Sequence, residues 1–167
     1  NGALQSGASF APGKVGQAIS VSGAGQYVSI PDSASLRPAS LTVDAWVYLR
    51  SIDSGFRSFV SKTLGSGVYD SFVLWMSDGS FNASVSVADS NGITLSSGIA
   101  LSANTWYHMA VTVDDASHNV TLYLNGAAVG SGNLGASLGY DSHPMLIGAD
   151  NSSDIPAEFT NGLIDEV

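Results

Sequence analysis

The stretch at residues 105–126, TWYHMAVTVDDASHNVTLYLNG, constrains the fold more than any other part of the chain. Its first run puts Tyr107, Met109, Val111 and Val113 on one face and Trp106, His108, Ala110, Thr112 and Asp114 on the other. Its second run alternates Val120, Leu122 and Leu124 with Thr121, Tyr123 and Asn125. A period of two marks strands with two unlike faces. The polar break at 114–119 is turn chemistry, so the two runs form an antiparallel hairpin. Asn125 and Gly126 tolerate positive φ and suit a type I′ turn into a third strand.

The same reading extends along the chain. Residues 17–21 and 26–30 read as two strands joined by the Ser22-Gly23-Ala24-Gly25 turn into a hairpin. A short helical turn is expected at 33–36, with Asp32 as its cap. Leu41, Val43, Ala45, Val47 and Leu49 alternate with Thr42, Asp44, Trp46, Tyr48 and Arg50. Residues 56–61 make a further strand, followed by a loop at 63–67. Residues 69–76 are apolar on both faces, which suggests a sheet covered on both sides or a binding face. Asp78-Gly79 is a hairpin turn signal, and a further turn is expected at 89–92. After it, 93–95 and 99–101 read as two short strands. Residues 150–160 read as an acidic irregular loop and 162–167 as the last strand. Many short strands between turn signals, with no helical periodicity, specify an all-β chain: a two-sheet antiparallel β-sandwich of jelly-roll type.

Charge narrows the partners. The 167 residues carry a formal charge of −9, with only five Lys and Arg. Phosphate backbones require a basic patch, so nucleic acid is excluded as a partner. Acidic loops favour a hard cation such as calcium. The absence of cysteine removes disulfides, thiolate metal sites and cysteine catalysis. No apolar run approaches the ~20 residues of a membrane helix, so membrane insertion is not expected. A surface covered by Ser, Thr, Asn and Gly fits a secreted or cell-surface protein.

Three stretches carry a family resemblance. They are Gly13-Lys14-Val15-Gly16-Gln17-Ala18 leading to Tyr27-Val28-Ser29-Ile30-Pro31, Leu41-Thr42-Val43-Asp44-Ala45-Trp46-Val47, and Trp106-Tyr107-His108-Met109-Ala110-Val111-Thr112 with Leu122-Tyr123-Leu124-Asn125-Gly126. In this order and spacing the chain resembles the laminin-G-like, concanavalin-A-like jelly rolls of bacterial secreted proteins. The resemblance implies one domain spanning residues 1–167, cut from a larger multidomain protein whose other domains would be its neighbours. It also implies a structural calcium joining the early turn to the last strand, on Ser22, Gly23 and Asp165, although Ser22 and Gln26 stand where the family usually has aspartates. A second calcium candidate is the oxygen-rich loop Asp150-Asn151-Ser152-Ser153-Asp154 with Glu158.

Sugar binding needs an aromatic platform and fixed polar groups. The candidates are Tyr69, Asp70, Trp75, Tyr140, Asp141, His143, Asp150 and Asn151. Trp75 either packs under the opposite sheet, the expected place, or lies on a binding surface. Trp46 and Trp106 are expected in the core, and His108 as a hydrogen-bonded structural histidine. Enzymatic chemistry is not expected. Glu158 and Glu166 are the only glutamates, and neither lies in the Glu-x-Asp-x-x-Glu strand motif of concanavalin-like glycosidases. No Gly-x-Ser-x-Gly elbow is present. The expected function is a non-catalytic extracellular binding module for carbohydrate. The alternative is a calcium-dependent protein-interaction or adhesion module, or a spacer.

Overall fold

Alternating apolar residues must be buried against a second layer, and this chain supplies that layer with a second sheet of its own. A computed structural model describes residues 1–66, 69–88 and 90–167. Sheet I runs in the order β1 (Ala3–Gln5), β4 (Tyr27–Ile30), β13 (Met145–Ile147), β6 (Arg57–Leu64), β7 (Tyr69–Ser77), β8 (Ser80–Val87), β9 (Ser90–Ala100). Sheet II runs in the order β12 (Ala127–Asn133), β11 (Asn119–Leu124), β10 (Trp106–Asp114), β5 (Leu41–Leu49), β16 (Asn161–Asp165), β3 (Gln17–Ser22), β2 (Ser9–Pro12). A small third ribbon pairs β14 (Asp150–Ser152) with β15 (Ile155–Ala157). All of these pairings are antiparallel. One 3-10 turn, Ala34–Leu36, is the only helical element among the described residues.

The core lies between the sheets. Sheet I contributes Phe59, Phe72, Leu74, Met76 and Phe81, and sheet II contributes Val47, Leu49, Met109, Val111 and Leu122. Each fully buried aliphatic or aromatic side chain of this size is worth about 1.5–3 kcal/mol of transfer free energy. That difference between faces settles which side of each strand points inward. The organising hairpin forms as expected, with Met109 opposite Leu124 and Asp114 opposite Asn119. Asn125 and Gly126 both have positive φ, 52° and 81°. Asp78 and Gly79 close β7 onto β8 in the same way, at 50° and 70°.

Several local expectations are corrected. The strands at 17–22 and 27–30 do not pair with each other: β3 lies between β2 and β16 in sheet II, while β4 lies between β1 and β13 in sheet I. The Ser22–Gly25 turn therefore crosses from one sheet to the other. Asp32 caps nothing. Ser33 is the N-cap residue of the 3-10 turn, and Asp32 instead receives Arg37 and the buried Lys62. Trp46 and Trp106 are not core. They sit on the outer face of sheet II, because Ala45, Val47 and Met109 take the inward positions. There Trp46 meets His108 at 5.3 Å and Tyr48 meets Trp106 at 5.5 Å. His108 Nε2 lies 3.0 Å from Asp44, in the structural hydrogen bond expected of it. The two short strands expected at 93–101 are parts of one strand, β9. The turn at 89–92 and the loop at 63–67 include Asp89 and Gly67, which lie outside the described residues.

Candidate functional site

On β7 the inward residues Phe72, Leu74 and Met76 leave Val73 and Trp75 facing away from the core. Most of that outer face of β6 is roofed by the chain at 148–160. Gly148 N–H donates to Phe59 O (2.8 Å), Ser61 Oγ to Ala149 O (3.0 Å), and Ser58 N–H to Glu158 O (2.9 Å). Thr160 Oγ1 donates to Ser58 O at 2.6 Å, and Asn151 Nδ2 to Thr63 Oγ1 at 3.1 Å. The segment expected to be irregular is thus a strapped hairpin. Gly148 starts it at φ +83°, in the left-handed region that favours glycine.

Between this strap and the exposed face of β8 and β9 lies a cleft of about 580 Å³. One end carries an aromatic stack, with Phe56 lying on Trp75 at 4.3 Å and nearly parallel. Trp75 Nε1–H donates to Ser84 Oγ (3.1 Å), and Ser84 shares a hydrogen bond with Thr94 Oγ1 (2.9 Å). Ser84, Ser86 and Thr94 line the floor. Tyr69, Asp70, Asp150, Asn151 and Glu158 also line the cleft. Tyr69 and Trp75 are six residues apart on β7, about 20 Å at the usual strand rise, so they do not form one platform. Phe56 is the partner of Trp75.

Asp70 and Asp150 come from positions eighty residues apart and lie against each other. Burial pushes the Asp70 carboxyl up to about 9, and the neighbouring Asp150 charge and hydrogen bond add to it. Burial also raises Asp150, partly offset by the Asn151 amide, which donates to it at 2.8 Å. Two carboxyls so close cannot both ionise cheaply, so the pair holds one proton near neutrality. Its proton lies between the two carboxyls, so the pair presents acceptor oxygens to the cleft.

Of the eight residues expected to bind ligand, Tyr69, Asp70, Asp150 and Asn151 line this cleft, and Trp75 supports it through Phe56 and Ser84. The expectation that Trp75 is core is corrected: it faces outward and is half-buried. The other three stand elsewhere. Tyr140 packs against the core and donates to Pro38 O at 2.8 Å, and burial and Asp115 push its phenol up to about 12. Asp141 accepts from the amides of Gly65 (2.7 Å) and His143 (2.9 Å). Burial works to raise its carboxyl, and these hydrogen bonds outweigh it and hold it below its ordinary value. His143 is held between Asp141 (2.8 Å) and Asp154 (3.1 Å). Phe56, Ser84, Ser86 and Thr94 are cleft residues that sequence reasoning did not select. Nothing local marks them, since each sits in an ordinary strand or loop pattern.

The residues proposed for calcium do not converge. Ser22 pairs with Asn161 at one end of β16, and Asp165 lies at the other end beside Trp46. Four residue steps along the strand separate them, about 13 Å. Both Asp165 oxygens already accept amides, from Val15 (2.9 Å) and Glu166 (3.0 Å). These three residues do not fit one ion. Among the described residues no group of three or more His, Asp or Glu is placed to hold a metal. No helix is long and apolar enough to cross a membrane.

Comparison with known proteins bears on the fold. No curated protein matches the chain. Among solved structures, the binding domain of a paraclostridial mosquitocidal protein superposes with a TM-score of 0.77 at 14% identity, over 98% of this chain and 42% of that one. Domain 4 of the extracellular arabinanase AbnA from Geobacillus stearothermophilus, solved with arabinotriose, superposes at 0.66 and 18% identity, over 98% of this chain and 79% of that one. The Ruminococcus gnavus sialidase module CBM40, solved with sialyllactose, superposes at 0.70 and 16% identity, over 89% and 85%. At these identities the likeness is one of fold, and it matches the two packed sheets described above. Because the family model also matches residues 22–167, from the crossover turn to the last strand, the chain belongs to the Laminin_G_3 family of the concanavalin A-like lectin/glucanases superfamily.

Proposed function

We propose that this domain is a non-catalytic, extracellular carbohydrate-binding module whose site is the cleft beneath the 148–160 strap. The observation that carries the reading is the Phe56–Trp75 stack, half-buried at the edge of a cleft floored by hydroxyls. An aromatic face receives the C–H face of a sugar ring, while fixed hydroxyl, amide and carboxyl groups receive its hydroxyls. Ser84, Thr94, Asn151 and the Asp70–Asp150 pair supply those groups. The saccharides bound to the arabinanase domain and to CBM40 support this reading, as does the extracellular enzyme that carries the former.

Affinity should be modest, because an open polar site loses much of its contact energy to desolvation. A glycan array followed by titration of the best ligand tests the proposal. Binding that Trp75→Ala weakens by at least roughly tenfold, in a variant that keeps its cooperative unfolding, is the expected result. An array without hits at high protein concentration rejects it. Repeating the array with a chelator tests whether calcium takes part.

A further inference from the structure

No basic side chain of this protein is among the residues that line the cleft. Lys14 lies over the Trp46 ring at 4.5 Å, on the far sheet. Arg37 and Lys62 both serve Asp32, and Lys62 also donates to His143 O at 2.7 Å. Arg50 is bound to the carbonyls of Val21 (2.6 Å) and Gly162 (2.9 Å) in sheet II. Arg57 is paired with Asp53 at 2.8 Å and donates to the Phe56 carbonyl at 2.8 Å. These five are all the Lys and Arg in the sequence, so none of the residues outside the described set is basic. Of the histidines, His108 is bound to Asp44 on sheet II, His118 lies in the β10–β11 turn, and His143 is held by Asp141 and Asp154. None of the three lines the cleft.

The cleft itself is lined by three carboxyl side chains, Asp70, Asp150 and Glu158, with no cation among its lining residues. A ligand carboxylate entering it would lose water, meet no counter-charge, and face at least one negative charge at short range. We propose that this cleft discriminates by charge: it takes uncharged saccharides and turns away those that carry a carboxylate, such as sialic or uronic acids. The inference rests on the saccharide-binding reading above and sharpens it to a ligand class. Hydroxyls suit the site because each can donate to a carboxyl oxygen of its lining, whereas a ligand carboxylate can only accept.

The test uses the intact domain against a microarray of neutral oligosaccharides and their sialylated or uronate counterparts on the same cores, at about 20 and about 200 mM NaCl, between which the Debye length falls from roughly 20 Å to roughly 7 Å. Hits should be confined to neutral members. For the best of them, titration should show the acidic counterpart weaker by on the order of tenfold at low salt, with the gap narrowing as salt rises. Glu158→Gln, which removes one cleft charge but keeps the backbone carbonyl that binds Ser58, should narrow the gap by several-fold. An acidic member that binds as tightly as its neutral core overturns this inference alone. So does a gap that neither salt nor Glu158→Gln changes, because the selection would then be steric. Failure of every glycan to bind overturns the saccharide reading, and this inference with it.

Discussion

Asp70 shows how much a single residue's behaviour depends on what covers it. Its carboxyl is raised first by burial and then by the Asp150 carboxyl that the strap brings against it. A group that keeps its proton in the folded state but loses it in the unfolded state makes stability fall as pH rises between its two pKa values. The folded domain should therefore lose stability progressively from about pH 4 to about pH 9, the unfolded and folded values of Asp70. Asp70→Asn should flatten this slope and raise the melting temperature at neutral pH, as scanning calorimetry across that range would show. If the slope survives the substitution unchanged, the pair does not hold the shared proton. Trp75→Ala should weaken saccharide binding by at least roughly tenfold, the scale of losing an aromatic anchor, as titration calorimetry would measure.

Strand elements add constraints that no single residue carries. The turn at Asn125 and Gly126 closes β11 onto β12, and its φ values explain the residue choice. Gly126→Val should cost about 1–2 kcal/mol, since a branched side chain is penalised at positive φ. Chemical denaturation would measure this. Gly162 is a different case. A Cβ there would lie 2.2 Å from the Tyr48 carbonyl oxygen, where β16 runs beside β5. Backbone cannot yield as a flexible side chain does, so Gly162→Ala should cost about 1–3 kcal/mol or more. A fall of less than a few tenths in the same denaturation experiment would contradict so close an approach.

For the whole molecule, charge and topology act together. Arg37 and Lys62 hold the Asp32 carboxyl well below the usual carboxylate range through hydrogen bonds. A depressed carboxyl contributes stability above its unfolded pKa that is lost as pH falls below about 4. Set against the opposite slope from Asp70, this puts maximum stability near pH 4–5. Melting curves from pH 2 to 9 would test it, and a maximum at pH 7 or above would contradict the assignment of either group.

Both the legible and the illegible features of the sequence have physical causes. The alternation in residues 106–114 and 119–124 was legible as an antiparallel hairpin of two-faced strands, because a period of two sends neighbouring side chains to opposite faces. The turns at Asp78-Gly79 and Asn125-Gly126 were equally legible, because positive φ is a local demand. The tertiary structure decided which sheet each strand joined, so the Ser22–Gly25 turn proved to be a crossing between sheets. It decided that Trp46, Trp75 and Trp106 face outward, since aromatic bulk by itself does not say which face of a strand is inside. It also brought Asp70 to Asp150 and Phe56 to Trp75. Those contacts belong to the way the 148–160 strap lies over β6, and no periodicity in the sequence records a contact made between distant segments.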